Sequence, residues 1–144
     1  MAIDSRHVTE HIDRPARVVY EYAADPANLA HWAAGLGASI RRAEGRWLVD
    51  VPDGGGTAEV VFVARNDLGV LDHEVHLPTG QIVYMPVRVI ADGDRAEIVF
   101  TVRRAPGMTD DEYDRDAAAV ARDLSVLKKI LEGGEPQPSC CSNT

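Results

Sequence analysis

The chain has 144 residues, 45% apolar and 26% charged, which fits one globular domain and excludes wholesale disorder and any need for disulfide or metal staples. Fifteen Lys+Arg against 23 Asp+Glu leave a net charge of −8, a balance that repels nucleic-acid phosphates and anionic membrane surfaces. No stretch approaches the roughly 20 apolar residues of a spanning helix, and no basic segment followed by an apolar run opens the chain. The expectation is a soluble cytoplasmic protein with no nucleic-acid and no membrane partner.

Residues 5–12 mix β-branched and polar side chains in the manner of a half-exposed strand. Pro15 then suits the first turn of a helix that carries Val18, Val19, Tyr22 and Ala23 on one side. Asp25-Pro26 repeats the start signal for a second short helix bearing Leu29 and Trp32, with Gly35 and Gly37 as its stop. From residue 38 the period changes to alternation, and strands are predicted at 38–43, 46–52, 57–64, 70–77, 81–91 and 95–104. The breaks between them are as short as Glu44-Gly45, Pro78-Thr79-Gly80 and Asp92-Gly93, so the strands join as antiparallel hairpins.

Thr109-Asp110-Asp111-Glu112 is a capping box, and Tyr113, Ala117, Val120, Leu124, Leu127 and Leu131 follow as one apolar stripe of a long helix. Acids fill its first turn, and Lys128 and Lys129 its last, as the helix dipole prefers. Gly133-Gly134 is the expected stop. The domain is therefore placed at residues 1–132 and a disordered polar tail at 133–144. Cys140 and Cys141 lie in that tail as neighbours, which bond each other only with strain, and are read as free thiols.

Loop length fixes strand register, and register decides which side chains meet. A three-residue loop at Pro78-Thr79-Gly80 pairs Leu77 with Gln81 and His73 with Met85. A two-residue type I′ turn at Asp92-Gly93 pairs Val87 with Ile98 and Met85 with Phe100. One face then carries Leu71, His73, Val75, Val83, Met85, Val87, Val89, Ala96, Ile98, Phe100 and Val102, and the other carries Asp72, Glu74, His76, Tyr84, Arg88 and Glu97. The same counting across Glu44-Gly45 turns Ile40, Trp47, Val49 and Val51 inward, and for strand 57–64, whose loop fits four or five residues, the reading with Val60 and Phe62 inward sends Glu59 to solvent. His73 is thus the only ionisable side chain among the inward positions of the three strands in 70–104, where a bare imidazole costs a few kcal/mol unless it finds a partner. It is the candidate general acid/base or ligand anchor. Arg88 and Glu97 are expected to form an outer-face ion pair.

His73 and His76 point to opposite faces, and His7 with His11 lacks a third ligand, so neither a metal nor a cofactor is expected. Gly54-Gly55-Gly56 opens no helix and lacks the lysine of a phosphate loop.

The element order, one strand, two short helices, six strands and a long helix, is that of the helix-grip fold. Asp25-Pro26-Ala27-Asn28-Leu29 with Trp32, Gly69 to His73, Met85 to Val89, Pro106 to Thr109, and Asp123-Leu124 with Leu127-Lys128 resemble the START-like superfamily that includes polyketide cyclases and dehydrases. The resemblance implies an α+β domain: a seven-stranded antiparallel sheet wrapped around the C-terminal helix, with two short helices between strands 1 and 2. It also implies an apolar cavity between sheet and helix.

The expected function is binding of a small apolar or aromatic molecule, with Trp32, Trp47, Phe62, His73, Met85, Val87, Phe100, Tyr113, Ala117 and Val120 as the lining. The alternatives are a cyclase or dehydratase with His73 as general acid/base, and a regulatory domain that binds a protein partner. The expected assembly is a monomer or homodimer.

Overall fold

The computed structural model describes residues 4–33, 39–51 and 54–134. Strand β1 (Ser5–Ile12) leads into α1 (Ala16–Ala23), a 3₁₀ turn (Pro26–Asn28) and α2 (Leu29–Trp32). The sheet strands follow as β2 (Arg41–Ala43), β3 (Arg46–Asp50), β4 (Thr57–Phe62), β5 (His73–His76), β6 (Ile82–Met85), β7 (Val87–Asp92) and β8 (Arg95–Arg103). Helix α3 (Asp110–Lys129) runs on as a π turn over Ile130–Gly134, whose last two residues are the glycine pair expected as its stop. Gly35, Gly37 and residues 135–144 of the expected tail, with Cys140 and Cys141, lie outside the described residues, whereas the expected disordered tail begins at 133 and Gly133 and Gly134 are helical.

Local chemistry starts these elements as the sequence suggests. The Asp25 carboxylate accepts the Ala27 N–H at 3.1 Å. At α3 the Thr109 hydroxyl accepts the Glu112 N–H at 3.1 Å, and the Glu112 carboxylate accepts the Thr109 N–H at 2.9 Å. Both arms of the capping box are therefore made.

The strands form two antiparallel sheets, ordered β1-β8-β7 and β2-β3-β4-β5-β6. The single strand expected at 81–91 is divided into β6 and β7 at Pro86, which has no N–H to give the ladder. Residues 69–77 and 81–89 nevertheless keep one register throughout. His73 pairs with Met85 and His76 with Ile82 in the first part, and Val70 bridges Arg88 in the second. The Leu77 N–H bonds the Gln81 carbonyl and Gly80 takes a φ of 95°, which bears out the three-residue loop.

The β7–β8 hairpin differs from expectation. Asp92 pairs with Arg95, Val89 with Ile98 and Val87 with Phe100, so the two-residue turn is Gly93-Asp94. Of these two residues only Gly93 has a positive φ, 61°, which places the glycine first, as a type II′ turn requires, where a type I′ turn was expected. The slip is two residues, one full side-chain period, so every inward residue stays inward while its partner changes. Phe100 therefore lies opposite Val87 and not Met85. Arg88 lies opposite Val99, and the expected Arg88–Glu97 pair is absent; Glu97 has His11 at 3.9 Å instead.

The main core gathers Ile12 from β1, Val19 and Ala23 from α1, Leu29 and Trp32 from α2, Ile98 from β8, and Leu124, Leu127 and Leu131 from α3 and its last turn. A second buried cluster, Val49, Ala58, Val60 and Val75, lies on the inner face of β3, β4 and β5. Phe62 and Ile40 pack against both clusters. Helix α3 lies chiefly on β1, β8 and α2, so it covers the three-stranded sheet more closely than the five-stranded one.

Candidate functional site

Register sets three rows of side chains on the inner face of the five-stranded sheet. Phe62, His73 and Met85 form one row, and Trp47, Val60, Val75 and Val83 the next. Val49 with Ala58 continues the face. Across Pro86, Val87 and Phe100 pair on the inner side of the other sheet. Phe62, His73, Met85, Val87 and Phe100 thus run as one band across the junction of the two sheets.

His73 is buried, with 6% of its surface exposed. Its ring stacks on Phe62 with centroids 4.9 Å apart and meets Phe100 edge-on at 6.2 Å. Nδ1 lies 3.1 Å from the Leu71 carbonyl oxygen, which can only accept, so Nδ1 carries the proton. Burial pushes the imidazole below its ordinary pKa of 6.5, partly offset by the Leu71 bond and the nearby Asp72 charge. The ring is therefore neutral at pH 7 and its Nε2 holds a lone pair, to which no described residue donates.

The helix opposite shows a complementary pattern. Tyr113, Leu124, Leu127 and Leu131 of the apolar stripe are buried, whereas Ala117 and Val120 between them are only half-buried. Phe62, Met85 and Phe100 on the inner faces are half-buried as well, while Val87 is buried in the core. Trp32 is 5% exposed, and among the described residues its indole Nε1 is the buried side-chain nitrogen that lacks a hydrogen-bond partner. Such an orphaned donor costs about 1–3 kcal/mol.

Two further expected lining residues have cationic neighbours. Tyr113 is buried under the guanidinium groups of Arg6 and Arg104, 4.2 and 5.5 Å from its ring, and its hydroxyl donates to the Val102 carbonyl at 3.3 Å. Trp47 is half-buried on the second row, with the Arg42 guanidinium 5.9 Å from its ring.

The outer face holds a residue that the sequence reading placed but did not single out. Asp72 sits opposite Pro86 and is 2% exposed. Its carboxylate accepts the Val87 N–H at 2.9 Å, the Arg88 Nε and Nη2 at 2.9 and 2.8 Å, and the Tyr84 hydroxyl at short range. The Arg88 bonds above all, with those of Tyr84 and Val87, hold its pKa at about 2 despite burial. This clamp ties β5, β6 and β7 together where the ladder is interrupted. Tyr84 and Arg88 are the diagonal cross-strand neighbours of Asp72, and that was the available signal.

Among the described residues no group of three or more His, Cys, Asp or Glu side chains is placed to hold a metal ion, and no helix is long and apolar enough to cross a membrane.

No family model and no curated protein sequence matches the chain. Solved structures do. The protein XoxI from Bacillus cereus is 15% identical and superposes with a TM-score of 0.68 over 90% of this chain and 94% of its own. DynU16, described as a putative protein in the dynemicin biosynthetic locus, is 18% identical at a TM-score of 0.67 over 92% of this chain, which spans about half (49%) of DynU16. Truncated norcoclaurine synthase from Thalictrum flavum is 10% identical at a TM-score of 0.61, over 93% of this chain and 96% of its own. Two antiparallel sheets with a long C-terminal helix, two short helices after the first strand, and these superpositions along nearly the whole of this chain give the protein the helix-grip fold.

Proposed function

We propose that the protein binds a small apolar or aromatic molecule between the inner face of the five-stranded sheet and α3. The observation that carries this reading is the half-buried middle of the helix stripe, Ala117 and Val120, between fully buried ends. A stripe that only packed a core would be buried along its length. The half-buried Phe62, Met85 and Phe100 supply an apolar, aromatic wall on the sheet side, and His73 supplies a polar atom, Nε2, that orients a ligand.

Val120→Trp tests the reading with two readouts. If the space is open, the indole fills it: stability changes by less than about 1 kcal/mol and affinity for an apolar fluorophore such as 2-naphthol falls at least tenfold. If side chains already fill it, overpacking costs about 1–3 kcal/mol and the reading fails.

A second reading, supported by the neutral His73 with its free Nε2, is an enzyme in which this nitrogen takes a proton from the bound molecule. His73→Gln separates the two: a binder loses affinity alone, whereas an enzyme loses turnover with binding largely kept.

A further inference from the structure

The protonation pattern of the site carries a statement about its ligand, which rests on the binding reading above. His73 spends its one N–H on the Leu71 carbonyl, so the Nε2 edge of the ring can accept a hydrogen bond and cannot give one. Phe62 covers a face of the imidazole and Phe100 meets it edge-on, so neither offers a donor. Met85, its cross-strand partner, has none. A purely hydrocarbon guest that covers this edge leaves Nε2 unsatisfied, and an unsatisfied buried polar group is the larger penalty in any hydrogen-bond exchange.

We infer that the ligand is a neutral ring compound bearing a phenolic or enolic hydroxyl, which donates to His73 Nε2. The stacked Phe62–His73 pair favours a flat guest, since aromatic rings gain most from offset or edge contacts at centroid distances near those already present here. The lowered pKa of His73 agrees, because it keeps the imidazole an acceptor at neutral pH.

The test compares 2-naphthol with 2-fluoronaphthalene, which has nearly the same size and shape but no donor, by titration calorimetry at pH 7.5 against the full chain and against His73→Phe. The fluoro compound is the more apolar, so burial alone favours it. The expected result is that the wild type binds 2-naphthol about fivefold or more tightly, and that His73→Phe, which keeps an aromatic ring in the band, abolishes or reverses that preference. Equal binding of the two probes by the wild type overturns the hydroxyl requirement and leaves the apolar site standing. Binding of neither probe overturns the site itself. The wild-type ratio decides the matter even where His73→Phe is poorly folded.

Discussion

Asp72→Asn keeps the volume of the side chain and removes its charge at the seam between the two sheets. Asp72 is held at a pKa of about 2 against an ordinary 3.8. At 1.36 kcal/mol per unit that difference corresponds to about 2 kcal/mol of stability at neutral pH. The guanidinium of Arg88 is half exposed, and solvent screening trims its share. The amide adds a cost of its own, because its NH₂ must face the Tyr84 hydroxyl or the Arg88 guanidinium, both donors here. The expected loss is about 2–3 kcal/mol at pH 7. The sign of the pH dependence follows from a lowered pKa: the carboxylate stabilises the fold above the unfolded value and loses that effect as the pH falls through the folded one. At pH 3 the wild type retains about half of the contribution, so its advantage over Asp72→Asn narrows by about 1 kcal/mol. Urea unfolding of both proteins at pH 7 and pH 3, followed by far-UV circular dichroism, measures it. A cost under about 0.5 kcal/mol at pH 7, or a gap of the same size at both pH values, refutes the clamp as a charge-assisted device.

Two further outcomes follow from the same strands. Gly69 has a φ of 75° and its missing Cβ would stand 2.3 Å from the Val89 carbonyl oxygen, whereas Gly80, at a φ of 95°, has open space. Gly80→Ala should cost about 1–2 kcal/mol for its left-handed backbone alone, and Gly69→Ala clearly more, with equal losses in thermal unfolding ruling out the close approach. His73 has a folded pKa below 6.5, so the unfolded chain takes up the proton first as the pH falls. Its neutral form therefore stabilises the fold in full above about pH 6.5, and that contribution declines below it. The stability of the wild type relative to His73→Phe should drop between pH 7 and pH 5 in urea titrations; a constant difference means that His73 is not held neutral.

The sequence determined most of what depends on local chemistry. The capping box of α3, the Asp25 start signal and the three-residue loop at Pro78 each act through residues a few positions apart, and each forms as read. Inward and outward faces were legible too, because strand alternation survives a register slip of two residues. The β7–β8 turn shows the limit. Type I′ and type II′ turns both accept a glycine, and only the formed hairpin decided that Gly93 comes first, which moved Arg88 away from Glu97.

Tertiary structure decided what depends on distant chain segments. Tyr113 reads as one more member of the helix stripe, yet Arg6, Arg104 and the Val102 carbonyl enclose it. Asp72 reads as a surface acid, yet Pro86 breaks the ladder opposite it and leaves the Val87 N–H for its carboxylate. The alternation could place His73 on the apolar face; the folded chain alone could tie Nδ1 to Leu71, set the ring between Phe62 and Phe100, and so turn a lone histidine into a hydrogen-bond acceptor. Periodicity fixes which way a side chain points, and only packing fixes what it meets there.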